Sequence, residues 1–222
     1  VSEQKAFFEA IRAGDLAAVK SLVAAGPSLA SARNDSGVSG VLTAVYTGRG
    51  EIRDFLIANG AVLELPEAAA VGNQTRVREL IENDHVKADS FSPDGFAVVA
   101  LAAFLGHLEI VQYLAAQGAD INAAATNGSG YNALTAAVTS GHIAVVQWLL
   151  EHGANANYRY SAGYSPLLTA AANGRLDIAK LLLAYGADPH ATTNDGKSPL
   201  SLANERNHQE VAALFQAQAA SS

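Results

Sequence analysis

The side chains that could perform acid–base or metal chemistry in this sequence are its six histidines and the carboxylates near them. The densest grouping is "ENDHVKAD", Glu82 to Asp89, where three carboxylates flank His85. Such a cluster could attract a cation, but it reads more simply as a solvated helix end. No two histidines stand at i and i+4, the spacing that lets one helix face hold zinc. His107 and His142 each follow a glycine, His152 precedes one, and His190 follows Asp188-Pro189. "GVSGV" at Gly37–Val41 lacks the G-x-S-x-G elbow that exposes a serine nucleophile. "NGSGYNAL" resembles half a phosphate loop without its lysine, and a turn explains it better. Cysteine is absent, which excludes disulfides, thiolate nucleophiles and Cys-ligated zinc. Asn34, Asn73 and Asn127 open glycosylation sequons that matter only in a secreted eukaryotic chain. No catalytic residue, metal ligand or cofactor is assigned, and the chain reads as a non-enzyme.

Any site must be positioned by folded elements. Half of the 222 residues are hydrophobic, enough to bury a core and too many for a disordered segment. Net charge is −7, with no basic stretch to neutralise phosphates, so nucleic acid is not an expected partner. No apolar run approaches the roughly 20 residues of a membrane helix, so membrane insertion is not expected.

One phrase recurs. "GHLEIVQYLAAQGADIN" (Gly106–Asn122), "GHIAVVQWLLEHGANAN" (Gly141–Asn157) and "GRLDIAKLLLAYGADPH" (Gly174–His190) share one pattern. Gly14, Gly48, Gly72, Gly106, Gly141 and Gly174, then Asn207, mark intervals of 34, 24, 34, 35, 33 and 33 residues. A second set, Gly26, Gly60, Gly118, Gly153 and Gly186, falls 12 residues after its partners. Periods of this size denote stacked supersecondary units. After each first-set glycine runs an apolar stripe at helical spacing, such as Ile143, Val146, Leu149 and Leu150. Before it lies a shorter alanine-rich helix, with Pro166 and Pro199 suited to the first turn. "SPDGF", "TNGSGY", "SAGYS" and "NDGKS" read as turns between units.

These residues resemble the ankyrin repeat, a β-turn followed by two antiparallel helices. "DGKSPLSLA" at Asp195–Ala203 is close to that family's turn and first helix, and the recurring phrase to its second. The resemblance implies an all-α solenoid with short β-turn or hairpin fingers, a slightly curved stack of helix pairs. Seven units are expected, at about 3–33, 34–64, 65–91, 92–125, 126–159, 160–192 and 193–217, forming one domain over 1–222. The Thr-Pro-Leu-His tetrad is eroded, for example to Asn132-Ala133-Leu134-Thr135, which puts the hydrogen bonding between fingers in question. The 24-residue interval leaves no room for a finger at Ala61–Ala70, and a notch is expected there. By the same resemblance His107 and His142 are helix-start residues bonded to backbone.

In this family, partners dock on the concave side made of fingers and first helices. Carried over position by position, the slot after the turn glycine holds Phe96, Tyr131 and Tyr164, then Lys197. An outward slot two residues before the first-set glycine holds Tyr46 and Phe104. The finger "NYRYSAGY" adds Tyr158, Arg159 and Tyr160. Tyrosine and arginine are frequent interface anchors. From Ile121 through Leu150 there is no Asp, Glu, Lys or Arg, so part of the exposed surface is neutral. The expectation is a non-enzymatic module that binds a protein or peptide partner and is itself a monomer. The alternative is a regulatory or scaffolding segment of a longer enzyme or channel. The alanine-rich, cysteine-free composition points to a bacterial source. A cytoplasmic setting is favoured, with periplasm or secretion left open because the chain starts at Val1 rather than Met.

Overall fold

In the computed structural model, which describes residues 3–220, fourteen α-helices run in seven consecutive pairs. They are α1 (Glu3–Ala13) with α2 (Leu16–Ala25), α3 (Gly40–Tyr46) with α4 (Gly50–Ala58), and α5 (Leu65–Ala70) with α6 (Gln74–Glu82). Then come α7 (Val98–Phe104) with α8 (Leu108–Ala116), α9 (Ala133–Ser140) with α10 (Ile143–Glu151), α11 (Pro166–Ala172) with α12 (Leu176–Ala184), and α13 (Pro199–Glu205) with α14 (Gln209–Ala220). First helices pack in one row, α1 on α3 and onward to α11 on α13. Second helices form a second row beside it, with α8 on α10 and α10 on α12. The extensive contacts all join helices of one pair or of adjacent pairs.

The apolar pattern explains the layering. Val145, Val146, Leu149 and Leu150 lie on the buried face of α10, as the 3.6-residue period requires. The alanine-rich first helices are buried nearly all round, Ala133 through Val138 in α9 and every residue of α11. Small side chains let these short helices approach closely on both sides. Most of the buried hydrophobic residues form one continuous ribbon from Phe7 to Phe215, not a central core, with small separate clusters around Leu42 and Leu168. A single pair has no second flank to cover it, so each depends on its neighbours.

Local signals start and stop the helices. Ser39, Ser165 and Ser198 cap α3, α11 and α13 through their side chains. At α9 the eroded tetrad has become a capping box: Asn132 Oδ1 accepts from Thr135 N at 3.0 Å, and Thr135 Oγ1 from Asn132 N at 2.8 Å. The turn glycine Gly106 has φ +78, and a Cβ there would stand 2.5 Å from the His142 ring. Asn207, in the corresponding place before α14, takes φ +59, a conformation asparagine tolerates.

Among the described residues the fingers contain only isolated β-bridges, Arg33 with Ser39 and Phe91 with Ala97. The others close on a turn bond, for example Ala125 N to Tyr131 O at 2.7 Å. Despite the loss of the family tetrad, successive fingers are still tied together. Thr126 N donates to Gly95 O at 2.8 Å, and Asn194 N to Ala162 O at 3.0 Å. The short third pair has no finger, since its chain enters α5 directly with Pro66 in the first turn. The expected notch is nevertheless bridged. Gly37 lies against Pro93, where a Cβ would be 3.1 Å from the proline Cβ. Beneath that contact Arg33 reaches Glu64 at 2.9 Å and the fully buried Glu67 at 3.0 Å.

Candidate functional site

The candidate site grows from the backbone of the fingers. Phe96, Tyr131 and Tyr164 each use their own carbonyl to close their finger, accepting from Ser92, Ala125 and Tyr160. This leaves their side chains on the face shared with the first helices. Tyr46 and Phe104 stand at or next to the C-terminal ends of α3 and α7, 39 % and 40 % exposed. They are two of the few large hydrophobic side chains left this open.

Two adjoining hollows result. The first, about 330 Å³, is walled by Tyr46, Phe96, Phe104 and Tyr131, with Ala100, Leu101 and Ala136 below and Asp94 on its wall. Tyr46 and Phe96 meet edge to face with centroids 6.5 Å apart. The second, about 410 Å³, lies between Tyr131 and the α11 side, with Tyr160, Tyr164, Thr169 and Arg206 in its wall. Tyr131, Ser129 and Thr139 line both. Tyr131 and Tyr160 pack with centroids 5.2 Å apart, and Tyr160 with Tyr164 at 6.3 Å.

Burial raises the pKa of two of these phenols, Tyr46 and Tyr160. The Tyr46 hydroxyl donates to Asp94 Oδ1 at 3.4 Å. Desolvation, followed by the Asp94 charge, holds it well above the ordinary phenol range. The Tyr160 hydroxyl is hydrogen-bonded to Thr169 Oγ1. Its pKa is pushed up to about 12, mainly by burial.

Of the residues that sequence reasoning places on this surface, Tyr46, Phe96, Phe104 and Tyr131 line the first hollow, and Tyr131, Tyr160 and Tyr164 the second. Tyr158 and Arg159 line neither. The Tyr158 hydroxyl donates to Gly130 O of the preceding finger at 2.9 Å. Arg159 Nη2 donates to Thr192 O ahead of the next finger. Residue type suggested anchors here, while the geometry makes braces. Sequence reasoning missed Asp94 and Arg206. Asp94 was legible as the acid two residues before Phe96. Arg206 gave no signal, because only stacking brings α13 beside the finger of Tyr164.

Two of the histidines, His107 and His208, are backbone partners across pairs. His107 Nε2 donates to Ala70 O at 3.1 Å, and His208 Nε2 to Ala172 O at 3.1 Å. A carbonyl can only accept, so Nε2 carries the proton. Arg49 fills the same position, donating to Arg12 O at 3.2 Å. Each such side chain satisfies an end carbonyl of the preceding first helix. Around His85, Glu82 accepts from Tyr113 at 2.9 Å and Asp84 pairs with Arg76 at 3.6 Å. Among the described residues no three His, Asp or Glu side chains gather as a metal site would require.

A solenoid of helix pairs with aromatic hollows along its finger face is an interaction scaffold by architecture. Matches to the ankyrin-repeat family model fall on residues 65–160, 124–193 and 158–221. The chain belongs to the ankyrin repeat family, whose members typically act as non-enzymatic modules that bind protein partners. It is also similar to alpha-latrocrustotoxin-Lt1a of Latrodectus tredecimguttatus, 33 % identical over 91 residues. That alignment takes in 37 % of this chain and 6 % of the toxin, so the chain spans a small fraction of its relative. Among the described residues no helix is long and apolar enough to cross a membrane.

Proposed function

We propose that the chain binds a peptide or protein segment along the trough formed by the two hollows, with Tyr131 as the ridge between them. The carrying observation is the exposure of Tyr46 and Phe104 on one apolar hollow. An unpartnered apolar wall costs about 25 cal/mol for each Å² held in water, and docking recovers the part of it that exceeds the cost of association. Aromatic rings ordered by their neighbours lose little conformational freedom when they dock.

The contact set is Tyr46, Phe96, Phe104, Tyr131, Tyr160 and Tyr164, with Tyr158 and Arg159 holding the fingers in register. The test is affinity capture by the purified chain and by a Tyr131→Ala, Tyr164→Ala variant. Capture is expected to fall at least about tenfold, with the fold retained although both rings are partly buried and Tyr164 packs on Leu168 and Leu202. Capture retained by the double variant sinks the assignment.

A further inference from the structure

The first hollow has a chemistry of its own. Four electron-rich rings and one carboxylate line it, and no Lys, Arg or His does. Asp94 Oδ1 accepts from Ser92 Oγ at 2.6 Å and from the Tyr46 hydroxyl at 3.4 Å, both uncharged donors. No ion pair among the described residues includes Asp94. The nearby Glu67 charge is already met by Arg33. The hollow is therefore lined by four electron-rich rings and a carboxylate with no cationic side chain beside it.

Three ligand types can be compared. An anion is repelled by the rings and by Asp94. A purely apolar group fills the hollow but gains nothing from the carboxylate. A bare ammonium gains from both but surrenders strong hydration to an apolar wall. An ammonium sheathed in methyl groups has little hydration to lose, buries carbon against the rings and keeps its charge for the ring faces and Asp94. At about 330 Å³ the hollow is at the small end of ligand sites, the size for one head group.

We propose that this hollow binds a methylated ammonium group, carried as an N-methylated lysine by the segment that docks on the trough. The inference rests on the docking reading above and adds the chemistry of one contact. Tyr46 serves twice, as a wall and as the neutral donor that orients Asp94.

The test is calorimetric titration of the chain with three probes. They are an alanine–glycine pentapeptide with central trimethyllysine, the same peptide with an uncharged tert-butyl isostere, and tetramethylammonium chloride. The trimethyllysine peptide is expected to bind about tenfold tighter than its neutral isostere, the gap set by cation–π attraction and one carboxylate. Asp94→Asn, which can still accept from Ser92 and Tyr46, is expected to narrow that gap by the carboxylate's share, leaving the ring contribution, without shifting the melting temperature. Equal binding of charged and neutral peptides, or a gap unchanged in Asp94→Asn, overturns the proposal. Tetramethylammonium binding as tightly as the peptide overturns the assignment to a docked segment. No binding by any probe, with capture still lost in the double tyrosine variant, refutes the ammonium site and leaves the docking reading standing.

Discussion

Glu67 shows how one residue departs from the repeat. It is fully buried, and its partner Arg33 comes from 34 positions earlier, across the place where a finger is missing. A carboxylate in that position is tolerable only while the guanidinium meets it. Arg33→Ala should therefore destabilise the fold by about 3 kcal/mol, read by urea titration. Arg33→Met with Glu67→Leu should recover most of the loss, since the charge disappears with its partner. A double variant no better than the single would show that the ion pair is not the cause. His107 makes a different residue-scale prediction. Burial lowers its pKa below the ordinary histidine value, outweighing the opposite pull of the Ala70 carbonyl, so the fold favours the neutral ring. Its contribution is full above the unfolded value of about 6.5 and is lost as pH falls through the folded one. The urea midpoint should drop between pH 7.5 and 5, and drop less in His107→Gln. Identical drops in both proteins would remove His107 from the account.

At the scale of elements, the glycine spacing made the helix pairs legible, because a left-handed turn every thirty-odd residues and a 3.6-residue stripe admit few other readings. The 24-residue interval announced the missing finger. Its bridging was not legible, since Gly37 on Pro93 and Arg33 on Glu67 join residues whose adjacency exists only after stacking. The same limit hid the bracing bonds of Tyr158 and Arg159: their type suits an interface, while the backbone carbonyls they bond lie 28 and 33 positions away in neighbouring repeats. Phe96, Tyr131 and Tyr164 line the hollows because one slot in successive repeats projects to one face. The elements also set how the stack fails. Leu149 is fully buried in α10, between α8 and α12. Leu149→Ala should cost about 2–5 kcal/mol. It should also broaden the urea transition, because halves joined only through neighbours can melt separately. A transition as steep as that of the unmutated chain would contradict nearest-neighbour coupling.

Across the whole molecule, the two helix rows have different tasks. Both rows bury the ribbon that holds the stack together, and the first helices and fingers also line the aromatic trough. Cross-strapping from one finger to the next, through Thr126, Asn194 and Tyr158, keeps the rings in register without a partner. The most direct measurement of this division is hydrogen exchange on the chain with and without its captured partner. Slowed exchange is predicted in 92–104, 129–139 and 160–172, with second-helix amides unchanged. Protection confined to the second helices, with those segments unaffected, would place the partner on the other side and contradict the account.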